Sequence, residues 1–163
     1  MTQVNLANGL LSRLSKRMEH RRDYDLGKVY GSYGLSDEVN LDIVNTANNS
    51  DPVILDVGAN KGDYSGLTAA RLDNSSVIHC FEPSLAHEET FRGLQNKYIG
   101  RMMYYPYGLS SADGSKDLYK DSEGSGLSSL YDRDVRHHGI AFTQNESVRV
   151  TTLDHWVNSS GIS

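Results

Sequence analysis

The chain has 163 residues, a length that suits one domain, with 37% hydrophobic and 23% charged residues. Its net charge of −5 argues against a general nucleic-acid binder, whose domain would be basic. The single cysteine, Cys80, allows no disulfide or cysteine-based zinc site within the chain, and no apolar run reaches the roughly 18 residues that span a bilayer. Stable membrane insertion is not expected, and a reduced strand cysteine fits a cytoplasmic setting.

In chain order, Ala7, Leu10, Leu11, Leu14 and Met18 recur at helical spacing, flanked by Arg13, Lys16, Arg17, Arg21 and Arg22. This reads as a packing helix with a solvated basic face. Residues 23–34, rich in glycine and tyrosine, read as a loop or lid. Residues 36–44 are expected to form a short helix with Ser36 as N-cap, broken before Pro52. Residues 1–50 are thus expected to form a helical and lid segment, and residues 51–163 the main domain.

Residues 53–57, apolar except for Asp56, predict a strand covered on both faces. A glycine turn and a helix over residues 63–72 follow. Residues 77–81 predict a second buried strand that encloses Cys80. Ser84 is expected to cap a helix running to residue 98, and residues 102–107 predict a third strand. The alternation predicts a Rossmann-like α/β fold, a parallel sheet flanked by helices with strands one, two and three adjacent in that order. Farther on, residues 118–120 read as a short strand, residues 124–130 as a loop, and residues 132–145 as an exposed stretch. Residues 148–152 predict a strand from their alternation, and Thr152 caps a helix that begins at Leu153.

The glycine turn falls at the carboxyl end of strand one, where open α/β sheets bind ligands. Gly58 and Gly62 permit close backbone approach. Asp56 can accept hydrogen bonds from water or a ligand ammonium group, and Asn60 can donate and accept. Glu82 ends the next strand, where a carboxylate can accept two ribose hydroxyls. Together these residues predict a site for a nucleoside joined to an amino acid. The competing reading is a tight turn in which Asp56 caps the following helix. A dinucleotide would require Gly-x-Gly-x-x-Gly, and a P-loop Gly-Lys-Ser/Thr; neither is present.

The segments Ile54-Leu-Asp-Val-Gly-Ala-Asn-Lys-Gly62, His79-Cys-Phe-Glu-Pro83, Tyr107-Gly-Leu-Ser-Ser-Ala-Asp-Gly114, Ser128-Ser-Leu130 and Val150-Thr-Thr-Leu-Asp154 resemble, in order, the FkbM family of methyltransferases. The resemblance runs from about Pro52 to the C-terminus. It implies a class I methyltransferase fold, S-adenosylmethionine as donor, and O-methylation of a sugar or small natural product. In it Asp56, Gly58, Asn60, Gly62 and Glu82 match cofactor-site positions, with Ala59 and Pro83 beside them. Ser84, Gly108 and Leu109 would lie near the adenine. The family continues into a strand bearing a lysine, an aspartate and a Glu-Gly pair, whereas this sequence stops at Ser163. The expectation is a C-terminally truncated domain whose first strand is an unpaired edge, which favours homo-oligomeric association.

The sequence singles out no catalytic base. His137 and His138 read as solvated, and His155 as structural or exposed. The run His87-Glu-Glu-Thr-Phe91 is not His-Glu-x-x-His. Tyr30, Tyr33 and Tyr64 could wall a cofactor pocket. The leading expectation is a methyltransferase acting on a small-molecule or glycan hydroxyl. The alternatives are a non-catalytic nucleoside-binding or scaffold fragment and, third, an NAD-dependent oxidoreductase.

Overall fold

The computed structural model describes residues 35, 39, 40, 52–72, 76–132, 136 and 141–162. The chain separates into two compact units, Met1–Glu38 and Val39–Ser163. Of the first unit only Leu35, a helical residue, is described. The helix expected near residues 7–18, the glycine- and tyrosine-rich loop with Tyr30 and Tyr33, and the pair His137 and His138 lie outside the described residues. Of the helix expected over residues 36–44, Val39 and Asn40 are described and helical.

In the second unit, β1 (Val53–Val57), β2 (Val77–Phe81) and β3 (Met102–Tyr105) form a parallel sheet in the order β1-β2-β3. The register runs from Val53 opposite Val77 to Val57 opposite Phe81, and from Ile78 opposite Met102 to Phe81 opposite Tyr105. The α/β architecture and this strand order agree with the sequence. The crossovers are α1 (Asp63–Arg71) and α2 (Glu88–Lys97). Helix α1 buries Ser65, Thr68 and Ala69, small residues at helical spacing that let it lie close to the sheet. Helix α2 starts with Glu88 and Glu89 and ends with Lys97, charges that complement the helix dipole. It buries Phe91, which stacks on Tyr104 at a centroid distance of 4.5 Å.

One sheet face and the two helices enclose a core of Ala59, Ala69, Ile78, Cys80, Phe91 and Met102, with Ile54, Leu94, Tyr98 and Tyr104 packed around it. Arg101 binds this side together, its guanidinium donating to the carbonyls of Ala69 at 3.1 Å, Leu72 at 3.2 Å and Ser76 at 3.3 Å. On the opposite face, Trp156 of α3 (Leu153–Ser160) meets His79, Phe81 and Tyr105 edge-on. Thr152 caps α3 as expected, its Oγ1 accepting the His155 N–H at 3.0 Å.

Four expectations need correction. β1 is not covered on both faces: Val53, Leu55 and Val57 are 48%, 36% and 56% exposed. The Trp156 ring packs over β2 and β3, and among the described residues nothing pairs with the outer edge of β1. The third strand ends at Tyr105 rather than residue 107, because Pro106 has no N–H to donate to a ladder. Ser84 makes no side-chain cap; a 3-10 turn over Leu85–His87 precedes α2, and the Ser84 N–H is engaged elsewhere. Finally, the strands beyond residue 107 form a second sheet of their own and are longer than expected. β4 (Gly108–Leu109) runs parallel to β6 (Gln144–Thr151), and β5 (Gly114–Lys120) pairs with β6 antiparallel. Among the described residues no helix is long and apolar enough to cross a membrane.

Cys80 is fully buried, its Sγ lies 3.0 Å from Ser65 Oγ, and burial pushes its thiol up to about 12. Thiol reagents should therefore leave the native protein unmodified at pH 8 and label Cys80 only after denaturation. Rapid labelling of folded protein would contradict this packing.

Candidate functional site

The site begins with the turn after β1. Gly58 has φ +79°, Asn60 +47° and Gly62 +73°. Left-handed backbone is tolerated by glycine and, among other residues, best by asparagine. The Gly-x-Asn-x-Gly spacing is thus first a conformational requirement. The N–H groups of Gly58 and Ala59 both donate to the Phe81 carbonyl, at 2.9 and 3.1 Å, which pins the turn to the end of β2.

The two glycines differ. A side chain at Gly62 would place Cβ 2.6 Å from Leu94 Cδ1 and 3.2 Å from Phe91 Cε1, so this position is closed by packing against α2. A Cβ at Gly58 would meet nothing within 4 Å, which leaves its backbone open on that side.

Glu82, only 7% exposed, follows β2 and holds two segments at once. Its Oε2 accepts the Asn60 N–H and its Oε1 the Ser84 N–H, both at 2.8 Å. Each carboxylate oxygen keeps a further acceptor direction. Tyr104 donates its hydroxyl to the Glu82 carbonyl at 3.4 Å; burial, reinforced by the Glu82 and Glu88 charges, pushes that phenol up to about 12. Asp56 points to the helix side, where Ser65 Oγ donates to its Oδ2. Burial raises the Asp56 carboxyl above its ordinary value, while the Ser65 hydrogen bonds act in the lowering direction.

A pocket of about 180 Å³ opens at the carboxyl ends of β1 and β2. Gly58, Asn60, Glu82, Pro83, Gly108 and Leu109 from the expected set line it. Asp56, Ala59, Gly62 and Ser84 belong to the same turns but do not line it. Asp56 ties the turn to α1 through Ser65, and Gly62 serves the contact with α2. Tyr64, on α1, does not line it either. The pocket is smaller than the roughly 300–1,000 Å³ of drug-sized ligand sites, so it would enclose one part of such a ligand. The Asn60 Oδ1 is buried without a hydrogen-bond partner among the described residues.

Val57, Leu118, Ser125, Gly126, Ser128 and Leu130 also line the pocket and were not expected as site residues. The Ser128-Ser-Leu130 segment was a signal for the last two, but spacing alone does not bring a loop some seventy positions after the turn back onto it. Gly108 and Leu109 reach the pocket because β4 pairs with Val150 and Thr151 of β6.

Asp113 locks this second sheet to α3. It accepts from Thr151 Oγ1 at 2.7 Å and the Thr152 N–H at 2.8 Å, and pairs with His155 Nδ1 at 2.7 Å. These bonds, Thr151's first, hold its carboxyl down at about 2 against an ordinary 3.8. A depressed carboxylate stabilises the fold above its unfolded pKa and loses that contribution as pH falls through the folded value. Asp113→Ala should accordingly lower Tm at pH 7, with the gap from wild type closing between about pH 4 and pH 2. A pH-independent gap in thermal melts would contradict this account.

No family model, no curated protein and no solved structure matches the chain.

Proposed function

We propose that this chain binds S-adenosylmethionine in a class I methyltransferase fold and is a methyltransferase of FkbM type acting on a hydroxyl of a small molecule or glycan. The observation that carries the reading is the Glu82 carboxylate, fixed by two backbone N–H groups at the mouth of the Gly58 turn with one acceptor direction left on each oxygen. Such a carboxylate accepts the two neighbouring hydroxyls of a ribose. Leu109, Leu118 and Leu130 line the pocket and give it apolar surface suited to a base, and the open side of Gly58 would admit the amino-acid portion. The unpartnered Asn60 Oδ1 fits a ligand donor. The ordered resemblance to the FkbM family supports the same cofactor.

When bound, the cofactor supplies an electrophilic methyl group. The residues of this chain orient it: Glu82 through the ribose, and the Gly58–Asn60 backbone by close approach. Among the described residues that line the pocket Glu82 is the one ionisable side chain, and its two oxygens already hold Asn60 and Ser84. A separate base would have to deprotonate an alcohol acceptor. This favours, as second reading, a nucleoside-binding fragment without an acceptor site of its own.

Calorimetric titration of the purified chain with S-adenosylhomocysteine and with NAD tests the proposal. Saturable binding of S-adenosylhomocysteine with none of NAD is expected. Binding of NAD alone would point to the oxidoreductase, and binding of neither would remove the nucleoside site.

A further inference from the structure

The loop of residues 121–130 leaves β5 and returns to it. The Tyr119 N–H donates to the Ser129 carbonyl at 2.8 Å, and the Ser129 N–H to the Tyr119 carbonyl at 2.9 Å. Its base is held by Lys120, 5% exposed, whose Nζ donates to Glu123 at 2.8 Å and also to Glu146. Its flank rests on the turn before α2, where a Cβ at Gly124 would stand 3.2 Å from His87 Cε1. The serine hydroxyls serve the loop itself: Ser125 Oγ accepts the Leu127 N–H at 3.1 Å, and Ser128 Oγ donates to the Ser125 carbonyl at 2.9 Å. The loop is thus shaped by its own bonds, and the surface it turns to the pocket is Ser125, Gly126, Ser128 and Leu130, of which Leu130 is the one large apolar side chain.

Two points of that surface meet the opposite wall. Leu130 Cδ1 lies 3.5 Å from where a Cβ would stand on Gly108, and Pro83 Cγ lies 3.6 Å from the same point. A Cβ on Gly126 would stand 2.9 Å from Asn60 Nδ2. The absent side chains at Gly108 and Gly126 are what leave room between loop and sheet.

We infer that the 121–130 loop is the second wall of the ligand site and that Leu130 determines its affinity for the base, by apolar contact with the ring face. This rests on the nucleoside-site reading above. Leu127 provides an internal control, since it belongs to the same loop, is 50% exposed and does not line the pocket.

The experiment is calorimetry of wild type, Leu130→Ala and Leu127→Ala with adenosine and with S-adenosylhomocysteine. Leu130→Ala should weaken both ligands by roughly tenfold, as removal of apolar pocket contact does. Leu127→Ala should leave both within about twofold, as surface changes do. Loss confined to S-adenosylhomocysteine would overturn the placement of Leu130 at the base. Wild-type affinity in Leu130→Ala would overturn the inference while leaving the nucleoside site standing. Failure of wild type to bind either ligand would overturn the site reading and the inference with it. Should Leu130→Ala not fold, Gly126→Val crowds Asn60 from the same loop. Weakened binding by that variant supports the wall; unchanged affinity in the folded variant overturns it.

Discussion

Replacing Glu82 with alanine should abolish measurable S-adenosylhomocysteine binding, a loss of at least about a hundredfold, and destabilise the protein by about 2–4 kcal/mol. The two effects share one cause. The carboxylate accepts the N–H groups of Asn60 and Ser84 at 2.8 Å in a buried setting, so its removal strands two backbone donors. A stranded buried donor costs about 1–3 kcal/mol, and partial access of water sets the lower end of the range. The ligand loses both its ribose acceptors and the turn that approaches it. Glu82→Gln should lie between, because an amide presents one acceptor oxygen and turns its NH2 toward the other N–H. Urea unfolding separates the stability change from the calorimetric one. A folded Glu82→Ala protein with wild-type affinity would reject the site.

The second large effect is expected at Gly62, and it falls on stability rather than on binding. Gly62→Ala places a methyl 2.6 Å from Leu94 Cδ1 at a residue with φ +73°. Left-handed strain of about 1–2 kcal/mol adds to overpacking of about 1–3 kcal/mol, so a total of about 2–5 kcal/mol is expected. Gly58→Ala gives the opposite signature. Its φ of +79° carries the strain alone, about 1–2 kcal/mol, while its Cβ enters the open space through which the proposed ligand would approach. Chemical denaturation and calorimetry on the pair should show Gly62→Ala as the less stable variant and Gly58→Ala as the weaker binder. Equal stabilities would mean that Gly62 does not close the α1–α2 contact.

The legible part of the candidate site was the part encoded by neighbours in sequence. Gly58, Asn60 and Gly62 could be recognised because left-handed backbone admits few residue types, and Glu82 because it ends the strand adjacent to the turn. Their division of labour was not legible. Gly58 and Gly62 are the same residue in the same turn, and only Leu94 and Phe91 of α2 distinguish them. Asp56 stands at a ligand position by sequence, and only the structure shows that Ser65, in the first turn of α1, donates to its carboxylate.

By itself the sequence determined the parallel order β1-β2-β3, the Thr152 cap and the buried Cys80, since each follows from local periodicity or from a crossover whose handedness is constrained. Tertiary structure decided the second sheet, in which β4 pairs with a β6 some forty residues away, and the return of Gly126 and Leu130 to the Gly58–Asn60 turn. It also decided the exposure of Val53, Leu55 and Val57, because an apolar strand does not record which face a distant helix will cover. Local chemistry writes elements and turns into the chain. Long-range pairing decides which of them meet, and so where the pocket lies.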